Sequence, residues 1–144
     1  MRRYTLLLLS AALIALGGAA YGLKETVSHH YGAFAARFPH ADATWWNPAE
    51  SWRNKYENGN PEQGPAFRGS TTFLVFLTDA YHLFGELERI FTRCGFAILG
   101  LAVLHFEFHG QRLRMFLTTC LFMAVGWFVS AAGFHLVYTL FFRT

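Results

Sequence analysis

The chain reads as an all-α membrane protein: a four-transmembrane-helix bundle with a long aromatic-rich extramembrane loop. Three observations predict this class. Of its 144 residues 53% are hydrophobic and 15% are charged, against about 25% charged in ordinary soluble domains. Sixteen Phe are too many to hide in so small a soluble core, so lipid is the solvent for much of the surface. The apolar residues also gather into membrane-length runs, separated by short polar breaks and one long polar stretch. The length fits a single membrane domain spanning residues 1–144.

The first run, Tyr4 to Leu23, follows Arg2 and Arg3. About twenty residues rising about 1.5 Å each cross a hydrocarbon core of about 30 Å. A secretory signal peptide is the competing reading, because Gly18-Ala19-Ala20 resembles a cleavage site. The run is long for such a segment, so a retained first helix is expected. Basic residues ahead of it set the N-terminus inside, although Lys and Arg beyond the first helix outnumber those on the inner side.

Lys24 to Ser70 forms the extramembrane loop or cap. Val27, Tyr31, Phe34, Ala35 and Phe38 recur at helical spacing, so the first helix continues past the membrane or an amphipathic helix lies on its surface. Pro39 interrupts that pattern. Asn47 fits an N-cap and Pro48 the first position of a short helix running to about Tyr56. Asn58-Gly59-Asn60-Pro61 and Gly64-Pro65 are turn signals. Trp45, Trp46, Trp52 and Tyr56 suit a cap at headgroup level, where amphipathic rings settle. The sharper alternative makes these four rings a binding platform for a sugar or a lipid headgroup. His29, His30 and His40 read as solvated imidazoles.

The second span is placed at Thr71–Phe91 and the third at Arg93–His109, with Glu86, Glu88, Arg89 and Arg93 marking a tight turn between antiparallel neighbours. The fourth, Met115–Phe142, follows Gly110-Gln111-Arg112-Leu113-Arg114. It is longer than a bilayer needs, which predicts tilt or an emerging end. Gly126-x-x-x-Ser130 and Ser130-Ala131-Ala132-Gly133 offer small faces for close helix packing.

Ionisable groups inside membrane-length segments are costly and therefore mark function. Asp79, His82 and Glu86, at i, i+3 and i+7, share one helix face, and His105 and His109 share another at i, i+4. His135 on the last span is a further candidate ligand. Imidazoles and carboxylates together suit a zinc or iron ion. Asp79-x-x-His82 has the i, i+3 geometry of the Glu-x-x-His pairs in di-iron bundles. His105-x-x-x-His109 has the local spacing of the helical pairs in membrane hydroxylases and desaturases. A haem b held by two of His82, His105 and His135 is an alternative, and so are a proton relay and a purely structural polar cluster.

Other chemistries find no footing. Cys94 and Cys120 lack metal or redox spacing. No Gly-rich phosphate loop with its Lys and no Gly-x-Ser-x-Gly elbow is present. The net charge of +3 is scattered rather than clustered, which argues against nucleic acid as a partner.

The run from Trp45 to Phe84, WWNPAESWRNKYENGNPEQGPAFRGSTTFLVFLTDAYHLF, resembles a segment of small bacterial integral membrane proteins. The likeness implies a multi-pass protein of a bacterial inner membrane in which the loop lids the second helix. It brings no activity and no catalytic residues with it. Two functions follow as expectations. In the first, an intramembrane His/Asp/Glu cluster binds a metal ion and acts on a lipid-soluble substrate. In the second, the chain is a non-catalytic subunit or assembly factor of a larger membrane complex, or a haem b-binding electron-transfer subunit. Its partners are then the lipid bilayer and other membrane subunits or a homo-oligomer. Whether the chain is an enzyme is open at this level.

Overall fold

The computed structural model describes residues 2–104 and 111–142 of the chain. Every regular element among them is helical, and the one β-bridge joins Tyr56 to Pro65. Three long helices dominate: α1 (Arg2–His29), α5 (Ala80–Leu104) and α6 (Arg112–His135), which ends in a π-helical segment, Leu136–Phe141. Between α1 and α5 lies the cap, built from α2 (Tyr31–Arg37), α3 (Ala43–Trp46), α4 (Pro48–Ser51) and short 3-10 turns.

α1 is the central helix, with α5 antiparallel to it and α6 parallel. The antiparallel register shows in side-chain pairs. Ser10 Oγ donates to the Gly95 carbonyl at 2.9 Å, Gly17 faces Thr92, and Gly85 faces Lys24. On the other side, Ala15, Gly18 and Gly22 of α1 lie against Gly133, Ser130 and Phe134 of α6. A Cβ at Gly18 would sit 2.0 Å from the Ser130 carbonyl oxygen, and one at Gly133 would sit 2.2 Å from that of Ala15. Only small residues allow backbones to approach this closely. The small faces expected at Gly126, Ser130 and Gly133 are those that dock.

Two helical stretches, Tyr4–His29 and Arg112–Leu140, are long and apolar enough to cross a membrane. The expectation of four spans needs correction. No turn interrupts residues 86–93: α5 runs straight through Glu86, Glu88, Arg89 and Arg93. Glu and Arg are good helix formers, and without Pro or a turn-forming Gly a run of charges does not end a helix. The second span was also expected to begin at Thr71. Residues 71–78 instead form turns and a 3-10 segment, Val75–Leu77, and α5 starts only after Asp79. The β-branched and aromatic residues of TTFLVFL are poor helix formers, and Asp79 supplies the N-cap that starts the helix downstream.

The cap follows the sequence closely. Asn47 Oδ1 accepts from the Ala49 N–H at 3.1 Å with Pro48 at the first helical position, and Asp42 caps α3 through Thr44. Asn58, Gly59 and Gly64 adopt positive φ at the expected turns. Val27 and Phe34, on the predicted amphipathic face, are buried with Phe142 in the core that joins cap to bundle. Trp46 stacks between Phe34 (centroids 4.6 Å apart) and Phe84 (5.8 Å), pinning α3 to both α2 and α5.

Candidate functional site

The polar centre of the molecule lies where the cap meets the start of α5. Asp79 is 2% exposed, and its Oδ1 accepts the His82 backbone N–H at 2.8 Å. That bond is an N-cap: a carboxylate at the helix N-terminus satisfies an orphan donor and meets the positive end of the helix dipole. The His82 ring folds back so that Nδ1 lies 2.8 Å from both Asp79 oxygens. Thr78 Oγ1 is 3.1 Å from Asp79 Oδ2. On the far side of the ring, Nε2 lies 3.5 Å from the Lys55 ammonium. A carboxylate on one nitrogen and an ammonium on the other assign the proton to Nδ1 and the lone pair to Nε2.

The cap is fastened around this dyad. Asn54 Nδ2 donates to the carbonyls of Thr44 (2.7 Å) and Thr78 (2.9 Å), and buried Ser70 donates to the Lys55 carbonyl at 2.7 Å. Among the described residues no buried side-chain polar atom lacks a partner. A fully satisfied buried network rigidifies what it joins. Here it joins the cap to α5.

The expected metal centre does not assemble from the described residues. Asp79 and His82 come together. Glu86 instead pairs with Arg89 on an exposed face of α5. His135 is exposed on α6, with Nδ1 3.1 Å from Thr139 Oγ1. His105 and His109 lie outside the described residues. No group of three His, Cys, Asp or Glu able to hold a metal occurs among those described. The donor chemistry shows why. Both Asp79 oxygens are committed to hydrogen bonds, and the free lone pair of His82 faces a Lys ammonium where a cation would have to sit. The same engagement leaves His82 unsuited as an axial ligand for haem b. Because α5 is one continuous helix with no turn between antiparallel neighbours, Asp79 and Leu104 sit about 37 Å apart along its axis.

The loop rings split into two groups. Trp46 turns inward, as described. Trp52 stays on the surface, donating Nε1–H to the Ala49 carbonyl at 3.1 Å and meeting Tyr56 edge-on at 6.2 Å. Trp45 is half-buried on α3.

A second feature went unnoticed in the sequence. An open groove of about 870 Å³ runs between the cap and the ends of α1 and α6, inside the range of about 300–1,000 Å³ typical of small-molecule sites. Leu23, Leu136, Val137 and Leu140 form one wall, and Phe34, Phe38, Ala41 and Trp46 form the other. Among the described residues that line it, Arg37 and His40 are the ones with ionisable side chains. Leu136, Val137 and Leu140 all come from the π-helical segment, a rare geometry that concentrates at functional sites. The wider π turn re-aims these side chains relative to an α-helix. Nothing in the sequence announces it. The unusual length of the last apolar run is the nearest signal.

Comparison with protein-family models, curated proteins and solved structures returns no match.

Proposed function

We propose that this chain is a small multi-pass membrane protein that holds the apolar tail of a membrane lipid in the groove beneath its aromatic cap. One observation carries the reading: a groove of about 870 Å³, nearly all apolar, takes one wall from the last turns of the two membrane-length stretches. Leu136 and Leu140 are exposed as well as groove-lining, so the groove is continuous with the apolar outer face of α6. A tail can therefore slide in sideways from the bilayer without crossing water.

The antiparallel contact with α1 supports α5 as a third span, despite its four charges. Whatever depth α1 occupies, Ser10 and Gly17 bring Gly95 and Thr92 to it. With the N-terminus on the cytoplasmic side of a bacterial inner membrane, the cap then stands on the outer face. The Asp79–His82–Lys55 network acts as the latch holding the cap over the groove, a positioning role rather than a reactive one.

The test uses Trp46 as a reporter, in a protein whose Trp45, Trp52 and Trp127 are replaced by Phe. In bilayers containing lipid brominated along its acyl chain, Trp46 fluorescence should be quenched. Ala41→Phe, which fills the groove, should relieve that quenching. Emission from Trp46 that ignores the brominated chains would contradict the reading.

A second reading, docking on a larger membrane partner, has its own support. Glu86, Arg89 and Arg93 stand on α5 between the levels of Lys24 and Ile14, beside the apolar run of α1. Charges at that depth rarely face lipid. A partner purifying in fixed stoichiometry and lost on Arg93→Leu would favour it.

A further inference from the structure

We infer that a cleft between α1, α5 and α6 binds a small lipid-soluble organic cation, with Glu88 as its counter-ion. This site is separate from the groove beneath the cap and stands whether or not a lipid tail is held there.

The charges at 86–93 do not all face the same way. Glu86 pairs with Arg89 on the outer side of α5, and Arg93 is exposed. Glu88 turns toward α1 and α6 instead, where it meets Tyr21, Trp127 and Ser130. The ion pairs among the described residues are His29–Glu25, His82–Asp79 and Arg89–Glu86, so Glu88 belongs to none of them. Its depth follows from the register of the helices. A Cβ at Gly17 would sit 3.4 Å from the Glu88 carbonyl oxygen, and Gly17 lies within the membrane-length stretch Tyr4–His29. Gly17 is about 10 Å along α1 from Lys24, the first charge beyond the apolar run. Glu88 therefore stands below the level of lipid headgroups. An ionised carboxylate there is costly unless a cation meets it.

The surroundings specify what kind of cation. Glu88 shares a cleft of about 240 Å³ with Tyr21, Thr92, Phe96, Trp127 and Ser130. Three of these are aromatic, and ring faces attract cations, that of Trp most strongly. Thr92 and Ser130 add neutral hydroxyls, and no cationic side chain is among the described lining residues. Lys24, one turn away at the level of Gly85, is engaged elsewhere: its ammonium lies 5.0 Å from the centre of the Tyr81 ring and 5.5 Å from that of Tyr21. One carboxylate among rings suits an alkylated ammonium, which has no N–H groups left to satisfy. The same lining disfavours a metal ion, because three ligating groups do not meet among the described residues. The cleft is smaller than the range of about 300–1,000 Å³ typical of small-molecule sites, so it takes a compact cationic centre. Tyr21 and Trp127 are both exposed on the outside of the bundle. The cleft thus opens sideways, and a cation wrapped in alkyl groups reaches it through the bilayer.

Tetrabutylammonium is the probe, titrated by calorimetry into the full chain in non-ionic detergent. Binding should saturate with a single cation per chain. Glu88→Gln should weaken it at least about tenfold, as loss of an opposite charge in a half-buried site requires. Trp127→Leu, at an exposed position, should weaken it about fivefold. Glu86→Gln removes a nearby acid on the outer side and should leave the affinity within about twofold. No saturable binding by the unaltered chain, or an affinity unchanged in Glu88→Gln or in Trp127→Leu, would overturn the proposal. So would an equal loss in Glu86→Gln and Glu88→Gln, the mark of general attraction to the surface. Binding that appears only with Lys24→Gln would assign the Glu88 carboxylate to Lys24 instead.

Discussion

Replacing Gly18 by Ala adds one methyl group where α1 and α6 touch. The new Cβ would lie 2.0 Å from the Ser130 carbonyl oxygen, 2.8 Å from its carbon and 3.0 Å from the Phe134 nitrogen. All three are backbone atoms, so no rotamer change relieves the clash. Ordinary contact begins near 3.4 Å, which requires α6 to retreat by about 1.4 Å at this level. Overpacking of this kind costs about 1–3 kcal/mol. In water, the better helix propensity of Ala would offset about 1 kcal/mol. In a bilayer that offset largely disappears, because α1 stays helical whether or not α6 is docked. Gly100→Ala is the matched control, since a Cβ there meets nothing within 4 Å. Unfolding in mixed micelles by increasing denaturing detergent, followed by near-ultraviolet circular dichroism, should show Gly18→Ala destabilised and Gly100→Ala unchanged. Coincident transitions for the two variants would refute the packing argument. Because Gly22 packs beside Val137 of the groove wall, Gly18→Ala should also weaken Trp46 quenching by brominated chains.

Three further outcomes are expected. Asp79→Ala removes an N-cap worth about 0.5–2 kcal/mol and strands donors worth about 1–3 kcal/mol; amide hydrogen exchange across residues 43–63 should speed up, and rates equal to those of the unaltered chain would count against the latch. Asp79→Asn keeps an acceptor for the His82 N–H and should lose less than Asp79→Ala; equal losses would mean that the charge alone matters. Cys94 and Cys120 are both exposed, on α5 and α6; in sealed vesicles a membrane-permeant maleimide should label both and a charged maleimide neither. Rapid labelling of Cys94 by the charged reagent would remove α5 from the bilayer.

How much of this was legible in the sequence varies with the kind of signal. Local turn chemistry was written plainly. Asn47-Pro48, the Gly59 and Gly64 turns and the helical spacing of Val27 and Phe34 all appear where their residue types place them. The Gly126, Ser130 and Gly133 faces were also readable, because small residues at close helix contacts follow from sterics alone. The charge cluster at 86–93 misled. Charges look like a surface break in a hydropathy pattern, yet nothing about Glu or Arg bends a backbone, and the helix continues. That single difference merges the expected second and third spans into one helix and separates Asp79 from the far end of α5 by the length of the helix. Asp79 and His82 themselves were rightly paired by i, i+3 spacing. Their partner on the other side, Lys55, lies 27 residues upstream in the cap, and no periodicity connects them. The groove was invisible for a similar reason: its walls come from residues 23–46 and 136–142, brought together only by the parallel packing of α1 and α6.

The tail-binding groove is tested most directly by native mass spectrometry of the full chain released from mild detergent. The unaltered protein should retain about one phospholipid per chain at collision energies that strip loosely held lipid, and Ala41→Phe should lose it. Equal retention by both proteins, or none by either, would contradict a lipid site between the cap and the ends of α1 and α6.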